Sequence, residues 1–155
     1  WNYCYGDYQM SQSINVACAF LGGTIISVDG GYRVLQHPKA DRVFNRLADA
    51  RWFLAVCWCD QYPTPAGILT HDGQVTFQNH ASLAIGETLF LPLQCRKAIF
   101  NTCLALEPGE FATYTVSASS QVNKHNIEIM GLDIDPRYGR VALIRTQQSE
   151  SLGTC

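Results

Sequence analysis

The sequence predicts a mainly β protein: a small antiparallel β-barrel or sandwich with one amphipathic helix, stabilised by disulfides. Three observations carry that expectation. Turn residues recur about every 8–12 positions, with short β-branched or aromatic runs between them, as in all-β domains. Only one stretch spaces its apolar residues as a helix does. Seven cysteines are spread through 155 residues, and none belongs to a C-x-x-C pair. Zinc knuckles and redox motifs place their sulfurs a few residues apart. The cysteines therefore read as a disulfide framework made in an oxidising compartment, which makes the chain secreted and extracellular.

The first element expected is a hairpin. Thr24–Val28 runs into Asp29-Gly30-Gly31 and returns as Tyr32–Leu35. An Asp-Gly step tolerates positive φ and favours such a turn. A helix follows: Pro38 suits its first turn, where the missing N–H is harmless. Ala40, Val43, Phe44, Leu47 and Ala48 then recur at i, i+3, i+4, i+7 and i+8, opposite Lys39, Asp41, Arg42, Arg46 and Asp49.

Arg51–Cys59 predicts the central strand. At period two, Trp52, Leu54, Val56 and Trp58 share one face, and Phe53, Ala55, Cys57 and Cys59 the other. Both faces are apolar, as in a strand buried on both sides. Asp60–Pro65 ends it with two prolines, giving an exposed, stiff loop. A second hairpin is expected from Ile68–Thr70 through His71-Asp72-Gly73 to Gln74–Phe77. Pro92 points to an edge strand or a bulge. Ala98–Leu106, the turn Glu107–Glu110 and Phe111–Val116 form a third hairpin, and Ile127–Ile134, Asp135–Gly139 and Arg140–Arg145 a fourth. In the fourth, Ile127 and Ile129 sit on one parity and Met130, Leu132 and Ile134 on the other. A bulge near Met130-Gly131 accounts for that slip.

A chain of this length is expected to form one domain over residues 1–155, burying roughly 70% of its unfolded surface. Each bridge adds on the order of 2–4 kcal/mol to such a core. Charged residues make up 15% and hydrophobic ones 47%, a composition unlike that of disordered chains. The net charge is −2, with 11 basic and 13 acidic residues. Nucleic-acid binders carry a basic excess or stripe, so no nucleic-acid partner is expected. No apolar run is long enough for a membrane span. The chain opens at Trp1 with neither a basic n-region nor an apolar h-region. It is expected to be a mature form whose targeting segment has been removed. No Asn-x-Ser/Thr sequon is present.

The cysteines are Cys4, Cys18, Cys57, Cys59, Cys95, Cys103 and Cys155. Six can pair and one is left over; the pairing stays open. On a strand Cys57 and Cys59 would share a face and could not easily bond to each other. Cys95 with Cys103, and Cys4 with Cys18, could each close a small loop.

No catalytic or metal-binding set is expected, and no cofactor. His37 precedes Pro38, His71 sits at a hairpin tip beside Asp72, and His80 and His125 stand in no motif. There is no G-x-S-x-G elbow, Gly-rich phosphate loop or H-E-x-x-H. Asp133-Ile134-Asp135 resembles a paired-carboxylate motif, but it runs into Pro136 and reads as solvated turn acids. The aromatics Trp1, Tyr3, Tyr5 and Tyr8 could anchor a partner or seal one end of a barrel. The expected class is thus a recognition protein acting as a monomer. The alternatives are a small secreted hydrolase or nuclease using one histidine, and a protease inhibitor or carbohydrate-binding module presenting Gln61–Pro65.

The segments WNYCYGDYQMSQSI, RWFLAVCWCDQYP and SLGTC resemble the mature part of the secreted necrotrophic effectors, host-selective toxins, of the wheat glume-blotch fungus. The resemblance spans the chain and rests on these segments and the cysteine frame. It implies a β-barrel-like fold released from a pro-domain by a Kex2-type protease. It also implies binding to host plant proteins of the PR-1 class, and cell death in hosts carrying a matching sensitivity gene, without enzymatic activity. Only the cysteines carry over as functional residues.

Overall fold

The structure, a computed structural model, describes residues 24–35, 42–107, 109–117 and 124–147. Strand exceeds helix among them, and every strand pairing is antiparallel. The first sheet joins β1 (Thr24–Val28), β2 (Gly31–Leu35) and β3 (Val43–Phe44). The larger sheet contains β4 (Ala66–Leu69), β5 (Val75–Gln78), β6 (Phe111–Ser117), β7 (Lys124–Asp135) and β8 (Gly139–Thr146). Its order is β5-β4-β8-β7-β6. The helices among the described residues are α1 (Leu47–Asp60), α2 (His80–Ile85), α3 (Glu87–Phe90) and α4 (Leu93–Leu104).

Three expected hairpins are present. The β1–β2 turn uses Gly30 at φ 86° and Gly31 at φ 150°. A Cβ on Gly31 would stand 2.0 Å from the Phe44 carbonyl oxygen, so only glycine lets β3 close on β2 there. The β4–β5 hairpin turns at residues 70–74, and β7–β8 turns at 136–138.

Other expectations are corrected. The larger sheet is open: β5 and β6 are its edges, so it is not a closed barrel. Arg51–Cys59 is helix, not strand. Its buried residues Arg51, Leu54, Ala55, Trp58 and Cys59 recur at steps of three and one, which is a helix face. Period two also fitted this run because Trp52, Phe53 and Val56, on the other side, are apolar and partly buried too. The helix expected from Pro38 does not run on through Val43 and Phe44, which are strand, and the first described helix begins at Leu47. Val43 and Phe44 pair with Arg33 and Tyr32, and residues 36–41 lie outside the described residues. Ala98–Leu106 is likewise mostly helix: Cys95, Arg96, Ile99, Phe100 and Cys103 form the buried face of α4. Pro92 caps the start of α4 and is not in a strand. Where one helix is expected, the described residues hold four helical segments.

The parity slip in β7 has a different cause from a bulge. Met130 and Gly131 pair in unbroken register with Leu143 and Ala142, and the ladder shifts only between Asp133 and Asp135. Both faces of β7 are covered. Met130, Leu132 and Ile134 join Val141 and Leu143 in the core that contains Leu54 and Trp58 of α1. Ile127 and Ile129 join Ala142 and Ile144 in the core that contains Ile99 and Cys103 of α4. The large sheet is therefore sandwiched between α1 and α4. Val34 and Phe44 of the small sheet close over α1 in the first core. Fully burying each Ile or Leu in these layers contributes about 1.5–3 kcal/mol.

Candidate functional site

The outer side of α4 forms a candidate binding site. Leu93, Lys97, Asn101 and Leu104 recur at helical spacing, and with Phe100 and Arg96 they line a groove of about 670 Å3. The β4–β5 turn, His71-Asp72-Gly73-Gln74, forms its opposite wall. Leu93 is 68% exposed and Leu104 54% exposed.

Arg96 holds the two walls in place. Its guanidinium is buried and donates from Nη1 to the Gly73 carbonyl at 2.9 Å and from Nε to the Leu91 carbonyl at 2.9 Å. Nη2 pairs with Glu87 Oε1 at 3.1 Å. The charge is neutralised, and a turn, a helix junction and α4 become one rigid unit. The turn itself is closed by Thr70 N–H to Gln74 O and Gly73 N–H to Thr70 O, each at 3.0 Å. Gly73 sits at φ 80°, in the left-handed region that favours glycine. The Thr70 hydroxyl donates to Asp72, and this bond holds the Asp72 carboxyl below its usual pKa. Lys97 has no carboxylate within ion-pair distance among the described residues. The groove thus offers two apolar anchors, a cationic ammonium and an anionic turn. Such a mixture can hold a polypeptide surface by contact and charge.

The histidines occupy separate places. His71 is at the groove wall, His80 opens α2, and His125 directs Nε2 to the Phe90 carbonyl at 3.1 Å while its ring stacks on Phe90. His37 lies outside the described residues. Asp133 and Asp135 serve the β7–β8 turn: Asp133 pairs with Arg140 at 2.8 Å, and Asp135 accepts from the Tyr138 N–H. Among the described residues, no group of three or more His, Cys, Asp or Glu side chains could hold a metal ion. No described helix is long and apolar enough to cross a membrane.

The structure places four of the seven cysteines, Cys57, Cys59, Cys95 and Cys103. Cys95 and Cys103 lie on one helix, about 12 Å apart at 1.5 Å rise per residue, too far to bridge. Both face the core. Cys57 and Cys59 point to different sides of α1, since a helix turns two residues through about 200°. No two of the described cysteines are bridged to one another, and Cys59, Cys95 and Cys103 are buried thiols. Burial raises the Cys59 thiol well above the ordinary range, with the Asp60 charge adding to it, and burial pushes Cys103 up to about 12. Cys4, Cys18 and Cys155 lie outside the described residues, as do Trp1, Tyr3, Tyr5 and Tyr8.

The loop Gln61–Pro65 is tied down on several sides. Asn79 donates to the Tyr62 and Thr64 carbonyls, and the Thr146 N–H donates to Pro65. Sequence reasoning missed Leu93, Lys97 and Leu104 because a strand period was assigned to the second half of α4. The 93, 97, 101, 104 spacing was the signal that could have found them. No protein-family model and no curated protein matches the chain.

Proposed function

We propose that this chain is a secreted necrotrophic effector that binds a host plant protein and acts by recognition without turnover. The groove between α4 and the β4–β5 turn supports the binding part of this reading. Leu93 and Leu104 stand exposed at its two ends, on a wall fixed by Arg96. Exposed apolar side chains on a rigid element, with polar groups between them, are the material of interface anchors. The sequence resemblance supports the effector part, with a PR-1-class protein as the partner.

The test pairs the unchanged protein with a Leu93→Ser/Leu104→Ser variant. Both substitutions fall at exposed positions, so the melting temperature should hold. The unchanged protein should cause necrosis in sensitive plants and retain a PR-1-class protein in a pull-down. The variant should do neither. Equal inertness in every plant line would remove the effector reading. Undiminished binding by the variant would remove the groove.

A further inference from the structure

A second cavity lies away from the groove, on the other side of α1. Asp49, Trp52, Phe53 and Val56 share a helix face opposite the one that carries Arg51, Leu54, Ala55 and Trp58. With Arg42, Val43, Phe44 and Asn45 they line a cavity of about 550 Å3. That volume suits a small molecule, since ligand pockets run about 300–1,000 Å3.

The lining is aromatic on one side and cationic at the edge. Phe44 and Phe53 have ring centres 5.2 Å apart, and Trp52 and Phe53 are only partly buried. The Arg42 guanidinium carbon stands 4.7 Å from the Phe44 ring centre and 5.9 Å from that of Phe53. A guanidinium stacked on rings is pre-ordered and keeps its in-plane N–H fork for an acceptor. Among the described residues Asp49 is the only carboxylate in the lining, and Arg46 engages both its oxygens, at 3.2 and 3.0 Å. Arg42 has no carboxylate within ion-pair distance among the described residues. The exposed Asn45 adds an amide donor beside it.

We propose that this cavity binds a small molecule joining a carboxylate to a flat apolar body. The carboxylate pairs with Arg42 and Asn45, and the body lies against Trp52 and Phe53. A bidentate arginine–carboxylate pair supplies orientation, and the rings supply contact area.

The experiment compares biphenyl-4-carboxylate with neutral biphenyl-4-methanol on the whole chain, by calorimetry and proton–nitrogen NMR. The acid should bind, with shifts concentrated in residues 42–56, and the alcohol at least about tenfold more weakly, as expected for loss of a charged pair. Arg42→Gln should bring the acid down to the affinity of the alcohol while leaving the alcohol unchanged. Raising salt from about 20 mM to about 500 mM on the unmodified protein should weaken the acid alone. This arm stands even where the variant folds poorly. Equal affinity for acid and alcohol, no binding of either, shifts outside this region, or salt-independent acid binding would each overturn the proposal.

Discussion

Asn79 donates its side-chain amide to the Thr64 carbonyl at 2.8 Å, across the loop that joins α1 to β4. The same Nδ2 reaches the carbonyls of Cys59 and Tyr62 at 3.1 Å, and Oδ1 accepts from the N–H groups of Ala66 and Ser82 at 3.0 Å. One buried amide thus ends α1, fixes the Pro63–Pro65 loop, starts β4 and caps α2. Only a side chain with both a donor and an acceptor can do this.

Asn79→Ala should therefore destabilise by about 2–4 kcal/mol, because it leaves buried backbone groups without partners. Asn79→Asp should be worse than its near-identical shape suggests, since a carboxylate would face three carbonyl oxygens. Urea unfolding of both variants measures this. A cost below that of an ordinary surface substitution would show that water replaces the amide.

Acid should loosen the wall of the groove. The Thr70 hydroxyl bond holds the Asp72 carboxyl below its unfolded pKa. A group with a depressed folded pKa contributes stability above its unfolded pKa and loses it as pH falls through the folded value. Melting temperature should thus fall through the acidic carboxylate range, and Asp72→Asn should remove that part of the slope. Identical pH profiles for the two proteins would refute the link.

Three buried thiols among the described residues give a chemical test of the core. Cys59, Cys95 and Cys103 should resist iodoacetamide in the native state and label fully in concentrated guanidinium without reductant, as read by mass spectrometry. Rapid native labelling would contradict their burial, and failure to label after unfolding would show that they are bridged. The Cys103 thiol, pushed up to about 12 by burial, also sets an alkaline limit. Its contribution to stability is whole below the unfolded thiol pKa and is lost as pH rises through about 12. Cys103→Ser should flatten that alkaline decline.

Turn chemistry made the hairpins legible in the sequence. Asp29-Gly30-Gly31, Asp72-Gly73 and Asp135–Gly139 mark turns whose backbone demands only a few residue types meet. The helices were harder to read because each face of α1 touches apolar surface. Trp52, Phe53 and Val56 on one side and Leu54, Ala55 and Trp58 on the other satisfy period two as well as period 3.6. The same two-sided burial turned the change of parity at Met130 into an apparent bulge. Charged residues inside the core could not be read locally either. Arg96 is buried because Gly73, Leu91 and Glu87, up to 23 positions away, converge on it. The groove was hidden for the same reason, since its walls meet only after β4–β5 packs beside α4.

Gly131 and Arg140 supply a last case in which the role of one residue depends on another. The Arg140 stem crosses Gly131, where an added Cβ would stand 3.0 Å from Cδ and 3.1 Å from Nη1. From that position Nη1 donates to the Cys103 and Leu106 carbonyls at 3.0 and 2.6 Å, and Nε pairs with Asp133 at 2.8 Å. The guanidinium thereby satisfies carbonyls at the end of α4 and binds that helix to β7 and β8. Arg140→Met keeps the stem and removes these bonds, so it should cost about 1.5–3 kcal/mol. Gly131→Ala crowds the stem and should cost about 1 kcal/mol in the otherwise unchanged chain. In an Arg140→Ala background the crowding is gone, and the same alanine should be neutral or stabilising, because glycine weakens a strand interior. A double-mutant cycle by urea unfolding should therefore give a coupling of about 1 kcal/mol between the two positions. Additive effects would show that Arg140 reaches α4 by another path.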